Sequence, residues 1–308
     1  MSNRIVSKKF ISALNSLLLL SGCQFFQSTT FAQQDNDFDI WLKALRNEAV
    51  SKGFSETSIN LAFSEIHAPL PRIVQNDRNQ AEVVQTYAAY LTARVSEWKK
   101  TNGTARMLEH KALLDEITAS YGVQSRFIVA IWGMETNFGT YPMPESVFSA
   151  LATLAYDKRR AEFYRGQFFY ALSMLDSGFP SYGQMKGSWA GAMGQTQFMP
   201  ENYERYAVDF DKDGKRDIWD SNADVLASIA NYFTTFDWSV NETWGRRVKL
   251  PTTDEKTLTA DVTVGLAPDR RCVPYKSMGV WRNLQDWQAL GLRNIDGSDL
   301  PARAMPAA

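Results

Sequence analysis

The stretch FIVAIWGMETNFG, opened by Phe127, is apolar or glycine at every position except Glu135, Thr136 and Asn137. Such a run has to be buried, and its spacing says in what form. Ile128, Ile131 and Glu135 fall on one helical stripe, with Trp132 one turn before Glu135. Ser125 caps a helix predicted from Arg126 to about Phe138, and Gly139 supplies the left-handed end. The stripe thus sets a carboxyl among apolar neighbours. An ionised carboxylate in that setting costs roughly several kcal/mol unless paired or neutralised. Desolvation raises its pKa above the ordinary value of about 4.3. A carboxyl kept protonated near neutral pH is a proton donor, the general-acid pattern. The plain alternative is a rim glutamate that reaches water.

A second stretch, KGSWAGAMGQTQFMPENY, carries Gly187, Gly191 and Gly194 with Ala190 and Ala192. Small residues let backbones approach closely. Ser188, Gln195 and Gln197 are polar groups in this crowded segment, and buried polar groups need partners. The segment is either a tight helix contact or the wall of a cleft with donors and acceptors aimed inward.

The rest of the chain is patterned mainly as helix. FDIWLKALRNEAVSKGF places Ile40, Leu42, Leu45 and Ala49 near one face. EVVQTYAAYLTARVSEWKK and MLEHKALLDEITASYG each read as one further helix, the second stopped by Gly122. Alternation suited to strands is sparse until TWGRRVKLP and LTADVTVG, after about residue 243. No internal repeat is visible. A chain that is 44% hydrophobic and 22% charged, with net charge -1, has the balance of a soluble globular protein and no basic excess for nucleic acid. His67 and His110 are too few and too scattered for a histidine metal site.

Residues 1–22 have a signal-peptide layout: Arg4, Lys8 and Lys9 precede a short apolar run. The run ends in Leu20-Ser21-Gly22-Cys23, which resembles a bacterial lipoprotein cleavage box with Cys23 as the lipidated residue. The rival reading is cleavage after Ala32, releasing a soluble periplasmic protein. Residues 23–37 are polar and read as a tether. With Cys23 lipidated, Cys272 has no partner and no structural disulfide is expected.

DFDKDGKRDIWDSNAD fits the first half of a calcium-binding EF-hand loop. Asp209, Asp211 and Asp213 take positions 1, 3 and 5, Gly214 is the turn glycine, and the Lys215 carbonyl takes position 7. Asp217 falls at position 9 and Asp220 at the closing position 12. The loop departs from the pattern in having Asp rather than Glu at position 12, and Arg216 at position 8. Acids at this spacing repel one another without a cation; the plain alternative is a solvated acidic turn.

AIWGMETNFG followed by GSWAGAMGQTQFMP resembles the lytic murein transglycosylase B family, from about residue 38 to 290 and most densely over 127–233. The resemblance implies a mainly α fold. A lysozyme-like, goose-type-like core is expected over 116–243, with an EF-hand-like loop at 209–224. An N-terminal helical domain is expected over 38–115, and a small β-containing part over 244–308. It implies that Glu135 is the sole catalytic acid and then base. Ser188, Gln197 and Tyr232, with Tyr90, Arg159 and Arg160, would line the substrate cleft. The family's loop is longer, which makes Asp224 a competitor with Asp220 for the closing ligand; Asp224 also reads simply as an acid in the first turn of a helix. Calcium would be structural, and no organic cofactor is expected.

The implied reaction is cleavage of the β-1,4 bond between N-acetylmuramic acid and N-acetylglucosamine in peptidoglycan, with a 1,6-anhydromuramoyl product. The implied setting is a monomer held by its lipid at the periplasmic face of the outer membrane. Two other readings stand beside it: a peptidoglycan-binding lipoprotein with weakened turnover, and a hydrolytic muramidase. Family members continue into a Y-N-x-S-x-x-Y-A-like segment that returns to the cleft. It is not found here, and its lack is expected to weaken binding along the glycan.

Overall fold

The computed structural model describes residues 28–79, 87–236, 238–240, 247–251 and 283–301. Cys23 with its leader, the strand expected at 258–265, and Cys272 lie outside them. The described chain is mainly helical, as expected, and no described helix is long and apolar enough to cross a membrane. It forms two compact units, each assembled from separated stretches of sequence. The first draws on 1–84, 143–193 and 199–201; the second on 85–142, 194–198 and 202–308.

In the first unit, α1 (Ser28–Ser51), α2 (Glu56–Phe63) and α3 (Pro71–Arg78) are followed by α8 (Val147–Tyr156) and α9 (Ala161–Asp176). The helix α1 already runs through residues 28–37, which composition reads as tether. Ser55 starts α2 by accepting from the Ser58 N–H, and Ser146 does the same for α8 through Ser149. The sequence of α8, VFSALATLAY, is apolar on every side, and all of it up to Ala155 is buried. Such a helix belongs at a centre. Phe148 packs edge-on against Phe168 of α9, which also meets Phe63 of α2. A short antiparallel pair, β1 (Glu145–Ser146) with β2 (Lys186–Gly187), joins Glu145 to Gly187 and Ser146 to Lys186. Gly187 has to be glycine: a β-carbon there would lie 2.3 Å from the Ala192 carbonyl oxygen.

The second unit holds α4 (Tyr87–Arg94), α5 (Glu97–Glu109), α6 (Lys111–Tyr121), α7 (Ser125–Thr136) and α11 (Asn222–Thr235). The helix α10 (Pro200–Tyr206) leads into it from Asn202 on. Leu114 and Ile117 of α6, Ile128, Val129 and Trp132 of α7, and Val225, Leu226 and Ile229 of α11 form one buried cluster. A second short pair, β3 (Val248–Lys249) with β4 (Arg293–Asn294), flanks α12 (Leu284–Ala289). This is the small β part expected late in the chain.

Five expectations are corrected here. The helix read over 82–100 breaks after Arg94, because the Ser96 hydroxyl caps α5 by accepting from the Lys99 N–H at 3.3 Å. The helix read over 107–122 breaks at His110, although Gly122 (φ 69°) ends it as expected. The border placed between 115 and 116 falls inside α6, which packs on α7 and α11 of its own unit. Ser125 is the first residue of α7 rather than its cap, its hydroxyl meeting that of Thr118 at 3.2 Å. The far end of α7 also differs: Asn137 (φ 51°), Phe138 (φ 61°) and Gly139 (φ 78°) are all left-handed. This reversal folds the Phe138 ring onto Gly133, where a β-carbon would sit 2.6 Å from the ring.

Candidate active site

Glu135 stands in the last turn of α7. It opens into a cavity of about 270 Å³ that also receives Gln197 and Tyr232, so three of the residues singled out from sequence meet in the second unit. Ile131, Thr196, Phe198, Asn202, Ile229 and Phe233 also line it, and among the described lining residues Glu135 is the only carboxyl. Ile131 is the apolar neighbour expected of Glu135. Trp132 is not: it points into the core, 2% exposed, and its indole N–H donates to Gln195 Oε1 at 2.7 Å.

Gln195 is the joint of the site. Its Nε2 donates to the Trp219 carbonyl at 2.6 Å, and its backbone N–H to the Ile218 carbonyl at 2.8 Å. Its own carbonyl accepts from the Thr136 hydroxyl, which in turn accepts from the Gly139 N–H at 3.1 Å. A β-carbon at Gly139 would fall 2.3 Å from Gln195 Oε1, so glycine is required there by space as well as by φ. Two residues on, Gln197 is left-handed (φ 51°), with its Nε2 donating to the Gly194 carbonyl at 3.1 Å. A non-glycine residue held in this region costs on the order of 1–3 kcal/mol and persists where its surroundings over-determine it. Tyr232, on α11, packs among Phe198, Tyr206 and Phe236.

The Glu135 carboxyl is exposed to solvent on one side, and the protein packed around its other side removes part of its hydration. Burial pushes its pKa up; the positive charges of Lys99 and then Arg94 pull the other way. Burial, followed by repulsion from Arg94, lowers the pKa of Lys99 itself. Tyr90 does not line the cavity. Its ring lies under the Arg94 guanidinium at 5.7 Å.

Ser188, Arg159 and Arg160 belong to the first unit. The Ser188 hydroxyl accepts from the Ala192 N–H at 3.2 Å and its own N–H donates to the Ala192 carbonyl, closing a tight turn. Arg159 is engaged by Asp77, an acid 4% exposed, at 3.2 Å. Arg160 stacks over Phe163 and Tyr164. Sequence reasoning passed over Thr196 and Phe198, although they flank Gln197 in the same motif. It also passed over Lys99, which no motif marks. The Thr196 hydroxyl is buried and has no hydrogen-bond partner among the described residues.

In the aspartate loop, Asp209, Asp211 and Asp213 bring one carboxylate oxygen each to within 4.8 Å of the others. Gly214 (φ 90°) makes the turn, its N–H donating to Asp209 Oδ2 at 2.9 Å. Three acceptor-only oxygens suit a hard cation such as calcium, and these residues would hold it. Neither candidate for the closing ligand joins them. Asp220 is exposed, and its N–H donates to Asp217. Asp224 is fully buried, with Oδ1 accepting from the Phe210 N–H and Oδ2 from the Asp217 N–H, both at 2.7 Å. In this structure Asp224 clasps the two arms of the loop through backbone hydrogen bonds. Burial pushes its pKa up, and those bonds oppose the shift.

A family model described as the transglycosylase SLT domain matches residues 37–308. The chain belongs to this family. It is similar to the membrane-bound lytic murein transglycosylase B of Escherichia coli (strain K12), 39% identical over 138 residues, 44% of this chain and 38% of that protein. Among solved structures it is similar to SltB3 from Pseudomonas aeruginosa in complex with NAG-anhNAM-pentapeptide. The TM-score there is 0.75 and the identity 38%, covering 86% of this chain and 66% of that one. Escherichia coli Slt35 in complex with calcium matches with a TM-score of 0.65 and 26% identity, covering 82% and 74%. The chain thus spans under two thirds of the first two of these relatives. The family resemblance read from the two motifs holds, and with it the helical, lysozyme-like fold class of the SLT transglycosylases.

Proposed function

We propose that this SLT transglycosylase cleaves the β-1,4 bond between N-acetylmuramic acid and N-acetylglucosamine in peptidoglycan and closes a 1,6-anhydro ring. The observation that carries the reading is that Glu135 is the only carboxyl among the described residues lining its cavity, and burial there pushes its pKa up. Most glycosidases that use water or an enzyme nucleophile need two carboxylates about the bond. Here Glu135 gives its proton to the glycosidic oxygen as the bond from C1 breaks. The substrate's N-acetyl group stabilises the cationic centre. The Glu135 carboxylate then takes the proton of the muramoyl 6-hydroxyl as that oxygen bonds to C1, which returns Glu135 to its starting state. Lys99 and Arg94 favour the carboxylate between the two steps. The nucleophile belongs to the substrate itself, and high effective molarity favours closure over hydrolysis. The relative SltB3 has been solved in complex with NAG-anhNAM-pentapeptide, which supports this outcome.

Gln197 and Tyr232 are assigned to substrate binding, as are Ser188, Tyr90, Arg159 and Arg160 by the family motif. The relative Slt35 has been solved in complex with calcium, and calcium at Asp209, Asp211 and Asp213 is assigned a structural part here, bracing the approach to α11. Cys23 is assigned as the lipid anchor at the outer membrane. With no second carboxyl among the described lining residues, a muramidase would have to use Glu135 both as acid and as the base towards water, which disfavours that reading against closure by the substrate's own hydroxyl. Mass analysis of fragments released from purified peptidoglycan decides: products one water lighter than hydrolysis products are expected, and full-mass products would refute the assignment.

A further inference from the structure

The first unit holds a cavity of about 750 Å³, made from none of the groups used so far, where α3 and α8 both end. One wall is apolar: Pro69, Pro71, Val74 and the ring of Tyr156, which is fixed by edge-on contact with Phe38 at 5.1 Å. The rim is polar. Arg78 and Asp157 pair across it at 2.9 Å. Gln75, Asn79 and Lys158 also line it, and their side chains make no hydrogen bond or ion pair among the described residues. Thr153, by contrast, is spent, accepting from the Leu70 N–H and donating to the Ser149 carbonyl.

These groups describe a ligand. The C-terminal ends of two helices are partially negative and favour an ammonium or amide N–H. Lys158 and Arg78 favour a carboxylate. Two open amide side chains can each donate and accept, as a chain of amides requires. A strand of N-acetylglucosamine carries no charge for this rim to read, a bare murein strand offers lactyl carboxylates but no ammonium, and a net excess of one cation is too weak for nucleic acid. We propose that the cavity binds the peptide arm of peptidoglycan, an amide chain bearing both carboxylate and ammonium groups. This rests on the murein substrate assigned above.

The probe is the free tetrapeptide L-Ala–γ-D-Glu–meso-diaminopimelate–D-Ala, titrated calorimetrically into the full chain, with chitotetraose as the peptide-free control. The tetrapeptide binds the parent. Gln75→Ala and Lys158→Glu each weaken it by about two- to tenfold, the span of one hydrogen bond. Both side chains are exposed, so melting is unchanged. Chitotetraose binding does not respond to either variant. No binding to the parent, or parental affinity in both variants, overturns the inference. The titration needs no turnover: a chain that binds the peptide but releases no anhydro fragment contradicts the proposed activity alone, and one that cleaves without binding it contradicts the peptide site alone.

Discussion

The Thr136 hydroxyl donates to the carbonyl oxygen of Gln195 at 3.0 Å. The residue that follows the acid is thereby tied to the segment that ends in Gln197. With the Trp132 and Trp219 bonds, Gln195 holds both sides of the cavity through one side chain and one peptide group. Replacing it with leucine strands the buried indole N–H and a carbonyl, each at a cost of about 1–3 kcal/mol. Gln195→Leu is expected to lower stability by about 2–6 kcal/mol on this basis, read as a fall in the urea midpoint at constant slope. A midpoint within error of the parent would show that the network has no structural weight.

Glu135→Gln keeps the shape and removes the transferable proton. Cleavage is expected to fall by about 10²–10⁴-fold or more, since that is the usual worth of general acid catalysis. The folded pKa of Glu135 is raised, so its contribution to stability is complete below the unfolded carboxylate range and is lost as pH rises through the folded value. The glutamine variant lacks that loss. Its melting temperature should therefore gain on the parent as pH rises from the acid range to neutrality. A gain in the opposite direction would show that the carboxylate form is the one the fold favours.

Lys99 is the foremost charge holding the Glu135 pKa down. Lys99→Met should therefore move the alkaline limb of kcat/KM to higher pH, because more of the acid stays protonated. Lys99→Arg should leave the limb in place. Profiles of the two variants that superimpose would remove Lys99 from the electrostatics of the acid.

Calcium should raise the melting temperature of the parent by mass action on the folded state, and Asp213→Ala should abolish the increment. Asp224→Asn is expected to behave differently. It loses an acceptor for a buried backbone N–H, at a cost of about 1–3 kcal/mol, yet the calcium increment remains. Loss of the increment in Asp224→Asn would make Asp224 a ligand rather than a clasp.

The site was legible where side-chain chemistry is local. A carboxyl on an apolar stripe and polar groups in a glycine-rich segment drew attention to Glu135 and Gln197, and family motif extended the set to Tyr232. Where the reading went astray, a competing local interaction had won. Trp132 looked like a neighbour of Glu135 by spacing alone, but a single unsatisfied indole N–H is enough to turn it towards Gln195. Periodicity ran straight through Ser96, where one side-chain cap starts a new helix although the apolar pattern continues, and through His110, where the backbone turns between α5 and α6 with no side-chain cap. Ser125 had the chemistry of a cap, and the hydroxyl of Thr118 took it instead. Lys99 was invisible because its effect on Glu135 comes from tertiary placement, which no spacing encodes. The division into units was equally hidden, since each unit collects stretches that composition cannot link.

That discontinuity has a consequence for the order of events during synthesis. Glu135 leaves the ribosome before Gln197, and Gln197 before Tyr232, while the chain between 143 and 193 joins the other unit. Contacts this distant in sequence form late, after the loops between them have closed. The nascent chain therefore carries its proton donor without a chamber around it. The pocket comes into being only when the last of its three contributors has been made.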